Sequence, residues 1–202
     1  KTGDVWKLGN HRVMCGDSTR REDIEELMGG ETASFLWTDP PYGVNYVGRT
    51  KDKLTIQNDD EFDLEEVLEK AFKGVNQFLE EGSPIYIAHP AGPLSLVFGS
   101  KFIGTGWHLH ETLIWIKNSM VLGHSDYHYQ HEPILYGWKG KNRFWYGDRK
   151  QVSIFQFDRP QRSEKHPTMK PVGLIVAHIN NSSKINDIGC DPFLGSGSTL
   201  IA

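Results

Sequence analysis

Short apolar runs alternate along the chain with segments whose apolar positions recur every three to four residues. Arg12-Val13-Met14-Cys15 reads as a strand ending at Gly16-Asp17. Ser18 or Thr19 then caps a helix to about Met28, where Gly29-Gly30 stops it. Ala33-Ser34-Phe35-Leu36-Trp37 is a second, buried strand, and it runs into Asp39-Pro40-Pro41-Tyr42. After a polar loop, a helix over Phe62–Leu79 gathers Leu64, Val67, Leu68, Ala71, Phe72, Val75 and Phe78 on one face. Pro84–Ala88 is a third strand, followed by a helix over about Leu94–Phe102. His110–Ile116 and Glu132–Trp138 are further strands with no helix between them, which predicts an antiparallel pair. Leu174–Ile179 is helical, and Ile185–Cys190 is the last strand.

This alternation predicts an α/β sandwich, Rossmann-like, on a mostly parallel sheet with one antiparallel strand. In such sheets ligands gather beyond the carboxyl ends of the strands. Three strand ends carry chemistry here: Gly16-Asp17, Asp39-Pro40-Pro41-Tyr42, and Asp191-Pro192-Phe193-Leu194-Gly195-Ser196-Gly197. The chain has 202 residues, the size of one domain. At 38% hydrophobic and 24% charged, it is not a disordered segment. It holds no apolar run long enough to cross a membrane, and Lys1-Thr2-Gly3-Asp4-Val5-Trp6 shows no secretory signal, so a cytoplasmic location is expected. Cys15 and Cys190 are too few for a disulfide framework or a zinc site and read as small buried hydrophobes.

A net charge of −4 argues against a protein that coats nucleic acid through bulk charge. The distribution changes that picture. Residues 52–81 hold ten acids and three bases, whereas residues 139–170 hold nine bases and three acids, interleaved with Phe144, Trp145, Tyr146, Phe155 and Phe157. Basic and aromatic side chains so close together suit a nucleic-acid surface, with a solvated charged face as the plain alternative.

Asp39-Pro40-Pro41-Tyr42 has a specific chemical use. Two prolines cannot continue a central strand, so they stiffen a turn just past its end. The amino group of adenine is a poor nucleophile because its lone pair is conjugated with the ring. A carboxylate and a backbone carbonyl, each accepting one amino hydrogen, pull that nitrogen toward tetrahedral geometry. Asp39, the Pro40 carbonyl held by Pro41, and a stacking Tyr42 fit those parts, provided the base leaves the helix stack. In Asp191–Thr199 the glycines at 195 and 197 allow close backbone approach to a ligand. The loop lacks the lysine of a Walker loop and the third glycine of a dinucleotide fingerprint, so a methionine-derived cofactor fits better than a phosphate.

Taken together, DPPY, KHPTMKP and DPFLGSGST resemble the amino-methylating DNA methyltransferases that use S-adenosylmethionine. The catalytic motif precedes the cofactor loop, as in the β class, whose Asp-Pro-Pro-Tyr form usually marks adenine-N6 methylation. The likeness extends to Trp6-Lys7-Leu8-Gly9-Asn10-His11-Arg12, to Cys15-Gly16-Asp17-Ser18, and to the run from Tyr129 to Lys139. Similar segments occur in phage and bacterial methylases of restriction-modification systems, often with a ParB-like domain upstream. The resemblance implies a catalytic domain over residues 1–202 and a small target-recognition region at about 139–163. It implies a cofactor loop of Asp191, Pro192, Phe193, Gly195, Ser196 and Gly197, with Asp17 near the cofactor's adenine and His166, Thr168 and Lys170 toward its amino-acid end. Arg143, Arg149, Lys150, Arg159 and Arg162 are the candidate DNA contacts. Double-stranded DNA is the implied partner; a second copy, a ParB-like domain or a cognate nuclease are partners known among such enzymes. No metal is called for, because a sulfonium leaving group is already activated. The family pattern continues past the glycine loop through a helix and a strand bearing a ribose-binding acid, and Ala202 lies inside that helix. Cytosine-N4 methylation, protein-glutamine methylation through a related Asn-Pro-Pro-Tyr, and binding of DNA or cofactor without turnover are the alternatives.

Overall fold

The computed structural model describes residues 1–43, 61–123, 126–160 and 169–202, without the side chains of Glu61 and Phe62. The polar loop of residues 44–60, and His166, Thr168 and Arg162, lie outside the described residues.

The strand expected at Arg12–Cys15 forms, but not in the main sheet. β1 (Val5–Leu8) and β2 (His11–Met14) make a separate antiparallel hairpin, with Leu8 opposite His11 and Val5 opposite Met14. Gly16-Asp17 is therefore not an end of the main sheet. The helix that follows, α1 (Arg21–Met28), starts later than Ser18 or Thr19. Asp17 Oδ1 instead accepts hydrogen bonds from the Thr19 backbone N–H at 2.9 Å and the Thr19 hydroxyl at 2.7 Å, a side-chain turn that delays the helix. Gly29 ends α1 as expected, its N–H donating to the Glu25 carbonyl. Cys15 is exposed and only Cys190 is buried, which corrects the expectation that both are core residues.

The main sheet uses β3 (Phe35–Thr38), β4 (Pro84–Ala88), β5 (Trp107–Ile116), β6 (His131–Lys139), β7 (Ile154–Gln156) and β8 (Gly189–Cys190). Their spatial order is β7-β5-β6-β4-β3-β8. The pairings β3–β4, β3–β8 and β5–β7 are parallel, while β6 is antiparallel to both β4 and β5. Among the described strands of this sheet, only β6 runs against the others. The antiparallel pair expected of the fourth and fifth strands is present. Two details differ from the sequence reading. β7 was not anticipated, and the last strand shrinks to two residues because Asn186 adopts a left-handed backbone at φ 73°.

Helices α1, α2 (Glu61–Asn76) and α3 (Ser95–Gly104) contribute to one core, while α4 (Val172–Ser182) contributes to the other. Strand alternation serves both faces. In β4, Ile85 and Ile87 join Leu68, Phe72, Phe98 and Phe102, whereas Tyr86 and Ala88 join Trp37, Leu174 and Ile175. Burial on both faces explains why these strands read as continuous apolar runs. The second core is aromatic. The Tyr86 ring stacks on Tyr136 at 4.8 Å and on His178 at 4.5 Å, and Trp37 Nε1 donates to His178 Nδ1 at 3.0 Å. Burial lowers His178 to about 3, so it stays neutral at physiological pH and can accept that bond.

Candidate active site

β3 ends at Thr38, and the chain leaves the sheet through Asp39-Pro40-Pro41. The prolines offer no N–H to extend the ladder, so the Asp39 side chain is left at the carboxyl edge. Three other charged groups converge there. Lys117 follows the end of β5, Glu132 is the second residue of β6, and Lys170 lies just ahead of α4. Lys170 Nζ donates to Asp39 Oδ2 at 2.5 Å and lies 3.3 Å from Glu132 Oε2. Lys117 Nζ donates to Glu132 Oε1 at 2.6 Å. The Tyr42 hydroxyl reaches Glu132 Oε2 at 3.4 Å, and the Lys170 ammonium sits 5.2 Å from the centre of the Tyr42 ring. The four charged side chains are between 5% and 23% exposed.

Two carboxylates and two ammonium groups balance in charge, as a buried cluster must. Burial raises Glu132, but Lys170 and Lys117 outweigh it and bring the carboxyl down to about 2. For Asp39 burial wins over the pull of Lys170 and, helped by Glu132, holds the carboxyl above the ordinary aspartate range. Burial alone would lower Lys170, yet Asp39 and Glu132 hold it above its ordinary value, so it remains charged. Lys170 occupies Asp39 Oδ2 only. Asp39 Oδ1 is buried and has no hydrogen-bond partner among the described residues.

The neighbouring strand end carries the glycine loop. β8 lies beside β3, and the Thr38 hydroxyl donates to Asp191 Oδ1 at 2.7 Å, joining the two strand ends directly. The Phe193 N–H donates to the same oxygen at 3.0 Å. Burial pushes Asp191 up to about 6 despite these donors. Gly195 and Gly197 take φ values of +54° and +83°, which L side chains rarely adopt. A Cβ built on Gly197 meets nothing within 4 Å, and one on Gly195 meets only the Phe193 carbonyl at 3.7 Å. The space over the loop is open, as a cradle for a ligand requires.

The remaining expected residues divide. Pro40 is buried, and Pro41, Tyr42, Pro192, Phe193 and Ser196 are half-buried along this edge. Lys170 lies against Asp39, Glu132 and the Tyr42 ring. Asp17 is engaged in its local turn. The basic segment is split between the two ends of the sheet. The Phe144 N–H donates to the Gly82 carbonyl, ahead of β4, and Arg143 stacks over Trp138 at 5.1 Å. Arg143 and Arg149 line a cavity of about 270 Å³ with Tyr136, Trp145 and His178. The length of β4, roughly 17 Å at ordinary strand rise, separates that end from Asp39. Arg159 is instead at the site's own edge, its N–H donating to Asn118 Oδ1 at 3.3 Å, one residue beyond Lys117.

Sequence reasoning missed Lys117, Glu132 and His89. A charge at each end of an apolar strand pair was the available signal for the first two. His89 follows β4, with Nδ1 3.0 Å from the Pro90 carbonyl. Burial lowers it to about 4, so the ring is neutral, and because a carbonyl only accepts, Nδ1 carries the proton. Nε2 is left a buried acceptor with no partner among the described residues.

An α/β sheet with one reversed strand set between two parallel groups, an acid-Pro-Pro-Tyr turn and a glycine loop on adjacent parallel strands define the class I methyltransferase fold. Solved structures agree. The chain is similar to M1.HpyAVI with a TM-score of 0.64 and 20% identity, covering 92% of this chain and 82% of that one. It is similar to the PvuII DNA methyltransferase (cytosine-N4-specific) with a TM-score of 0.64 and 14% identity, covering 88% and 74%. Residues 33–202 match the N6/N4 DNA methylase family, and the chain belongs to it. A curated relative, Type II methyltransferase M.HpaI of Haemophilus parainfluenzae, is 26% identical over 214 residues, spanning 94% of this chain and 65% of the relative.

Proposed function

We propose that this chain transfers a methyl group from S-adenosylmethionine to the exocyclic N6 amino group of adenine in DNA, on a base turned out of the helix. The observation that carries this reading is Asp39 Oδ1, a buried acceptor with no hydrogen-bond partner among the described residues, on a carboxylate that the Tyr42 hydroxyl approaches. A carboxylate oxygen so placed can take a further donor, and an amino group supplies one.

The glycine loop and Asp191 suit a cofactor with a positively charged sulfur and a flexible amino-acid end, since the loop leaves open space beside Asp39's strand. When bound, that cofactor supplies a methyl carbon on a sulfonium, ready for attack without further activation. The chain's own residues prepare the acceptor. Asp39 Oδ1 accepts one amino hydrogen and turns the nitrogen lone pair toward the methyl carbon. Tyr42 offers a ring face for the base. Transfer would form the N–C bond as the C–S bond breaks, and the nitrogen would then shed one proton, which Asp39 Oδ1 is placed to receive. Lys170 keeps Asp39 from rotating. In this reading Arg159, at the site's edge, contacts DNA phosphate, while Arg143, Arg149 and Lys150 meet DNA only if the duplex reaches the opposite end of the sheet.

The M.HpaI, M2.LlaDCHI and M2.MboI relatives are described as type II methyltransferases, which supports a DNA substrate. The test is nucleoside analysis of DNA incubated with the full-length protein and methyl-labelled S-adenosylmethionine. Labelled N6-methyladenine is expected. N4-methylcytosine would keep the chemistry and change the acceptor, and unlabelled DNA would overturn the reading.

A further inference from the structure

The buried charges at the site edge exceed what amino methylation asks for. Of the four charged groups, that reading brings only Asp39 to the acceptor, yet Glu132 and Lys117 are folded in behind it, and Lys117 is among the least exposed charged side chains described. A lysine so buried is seldom retained unless it is paired. We propose that Glu132 and Lys117 are positioning residues for the methyl-accepting site: Glu132 draws the Lys170 ammonium away from Asp39 Oδ1, and Lys117 neutralises Glu132, so that one Asp39 oxygen stays free for the amino group. This rests on the amino-methylation reading above.

The geometry supplies the reason. An ammonium beside a lone carboxylate can close on both of its oxygens. Here Lys170 divides its donors between Asp39 Oδ2 at 2.5 Å and Glu132 Oε2 at 3.3 Å, and Oδ1 has no partner among the described residues. Glu132 also accepts from the Tyr42 hydroxyl, which ties the stacking ring to the same carboxylate. Without Lys117, Glu132 would be a surplus buried anion competing with Asp39 for one cation. Asp39 is faced by Lys170, Glu132, Tyr42 and, more weakly, Asp191. Glu132 is faced by Lys170, Lys117, Tyr42 and His89.

Charge balance gives the test a sign. Methyl transfer is followed against pH in the full-length protein and in Lys117→Met, Glu132→Gln and the double variant, with cofactor affinity by calorimetry and thermal unfolding measured on each. Lys117→Met leaves one negative charge in excess, so Asp39 protonates more easily. The acid limb of kcat/KM should rise by about one pH unit, with roughly tenfold less activity near that limb. Glu132→Gln leaves a positive excess, so the limb should move down while kcat falls about tenfold and cofactor affinity holds within about twofold. The double variant restores neutrality and should return the limb to its parent position. If Lys117→Met does not fold, Lys117→Gln is judged by the same limb. Losses that simply add, with the limb unmoved in every variant, would reduce these residues to packing and overturn the proposal. A parent protein that methylates no DNA would sink the underlying reading instead.

Discussion

The molecule contains the same charge pattern twice. On the surface, Lys73, Glu69, Lys101 and Glu65 form an alternating chain across α2 and α3, with separations of 2.6, 3.1 and 3.2 Å. At the site edge, Lys117, Glu132, Lys170 and Asp39 form another, with 2.6, 3.3 and 2.5 Å. The central glutamate of each reaches about 2. The side chains of the first set are between 19% and 67% exposed, those of the second between 5% and 23%. Glu69 is lowered by its hydrogen bonds to Lys73 and Lys101 with water all around, whereas Glu132 is lowered in spite of a burial penalty. The first is a decoration that solvent can replace. The second leaves a buried acceptor, Asp39 Oδ1, with no partner among the described residues.

The strongest break of the comparison is at its functional end. Asp39→Ala should reduce methyl transfer at least about a hundredfold while leaving cofactor binding by calorimetry intact, because the proposed function has Asp39 act on the acceptor. Near-parental turnover would end the parallel. Gly197→Val attacks the site without touching either set of charges. At φ +83° a branched residue is strained whatever the space around it, and S-adenosylmethionine binding should be lost with the fold retained. Parental affinity would make the loop a mere turn.

Asp191 sharpens the contrast from a third direction, as a carboxyl buried with hydroxyl and amide donors and, among the described residues, no lysine in contact. Its folded pKa, about 6, lies above the ordinary 3.8, so ionisation costs stability as pH rises across that window. Asp191→Asn keeps an oxygen for the Thr38 and Phe193 donors, while the Thr199 hydroxyl can turn to accept, and it should stabilise the protein on the order of 1 kcal/mol above pH 6, read by thermal unfolding. Glu132 has the opposite sign: its contribution is present above 4.5 and is lost as pH falls toward 2. Salt separates the twins. In a carbon-detected NMR titration at high ionic strength, Glu69 should return toward 4.5 while Glu132 stays low. Last and smallest, Glu69→Gln should leave the methylation rate within about twofold of the parent.

The strands most visible in the sequence were those buried on both faces, such as Pro84–Ala88, because continuous apolar runs report burial directly. β7, with only Ile154, Phe155 and Gln156 in ladder contact at an edge, has no such run. Arg12–Met14 looked like a sheet strand since local pattern carries no information about which partner a strand will choose. In the site, Asp39 and the glycine loop were legible because turn chemistry is local. Lys117 and Glu132 were not: 15 residues separate them along the chain, and Lys170 is further still from Asp39, so their meeting is set by strand order alone.

Strand direction at β6 has one more effect. Because it runs against its neighbours, β6 begins at the site edge, so the chain departs after Lys117 and returns at Glu132 on the same side. The base of that excursion is closed by Lys117 N–H to the Gln130 carbonyl at 2.9 Å and Val121 N–H to the Tyr129 carbonyl at 2.8 Å. Those two bonds fix both charges at the base, and lengthening a loop beyond such a closure costs only about 0.6 kcal/mol for each doubling. The fold thus offers a grafting port beside its chemistry. New segments could be spliced in there, and the charged edge would be inherited unaltered.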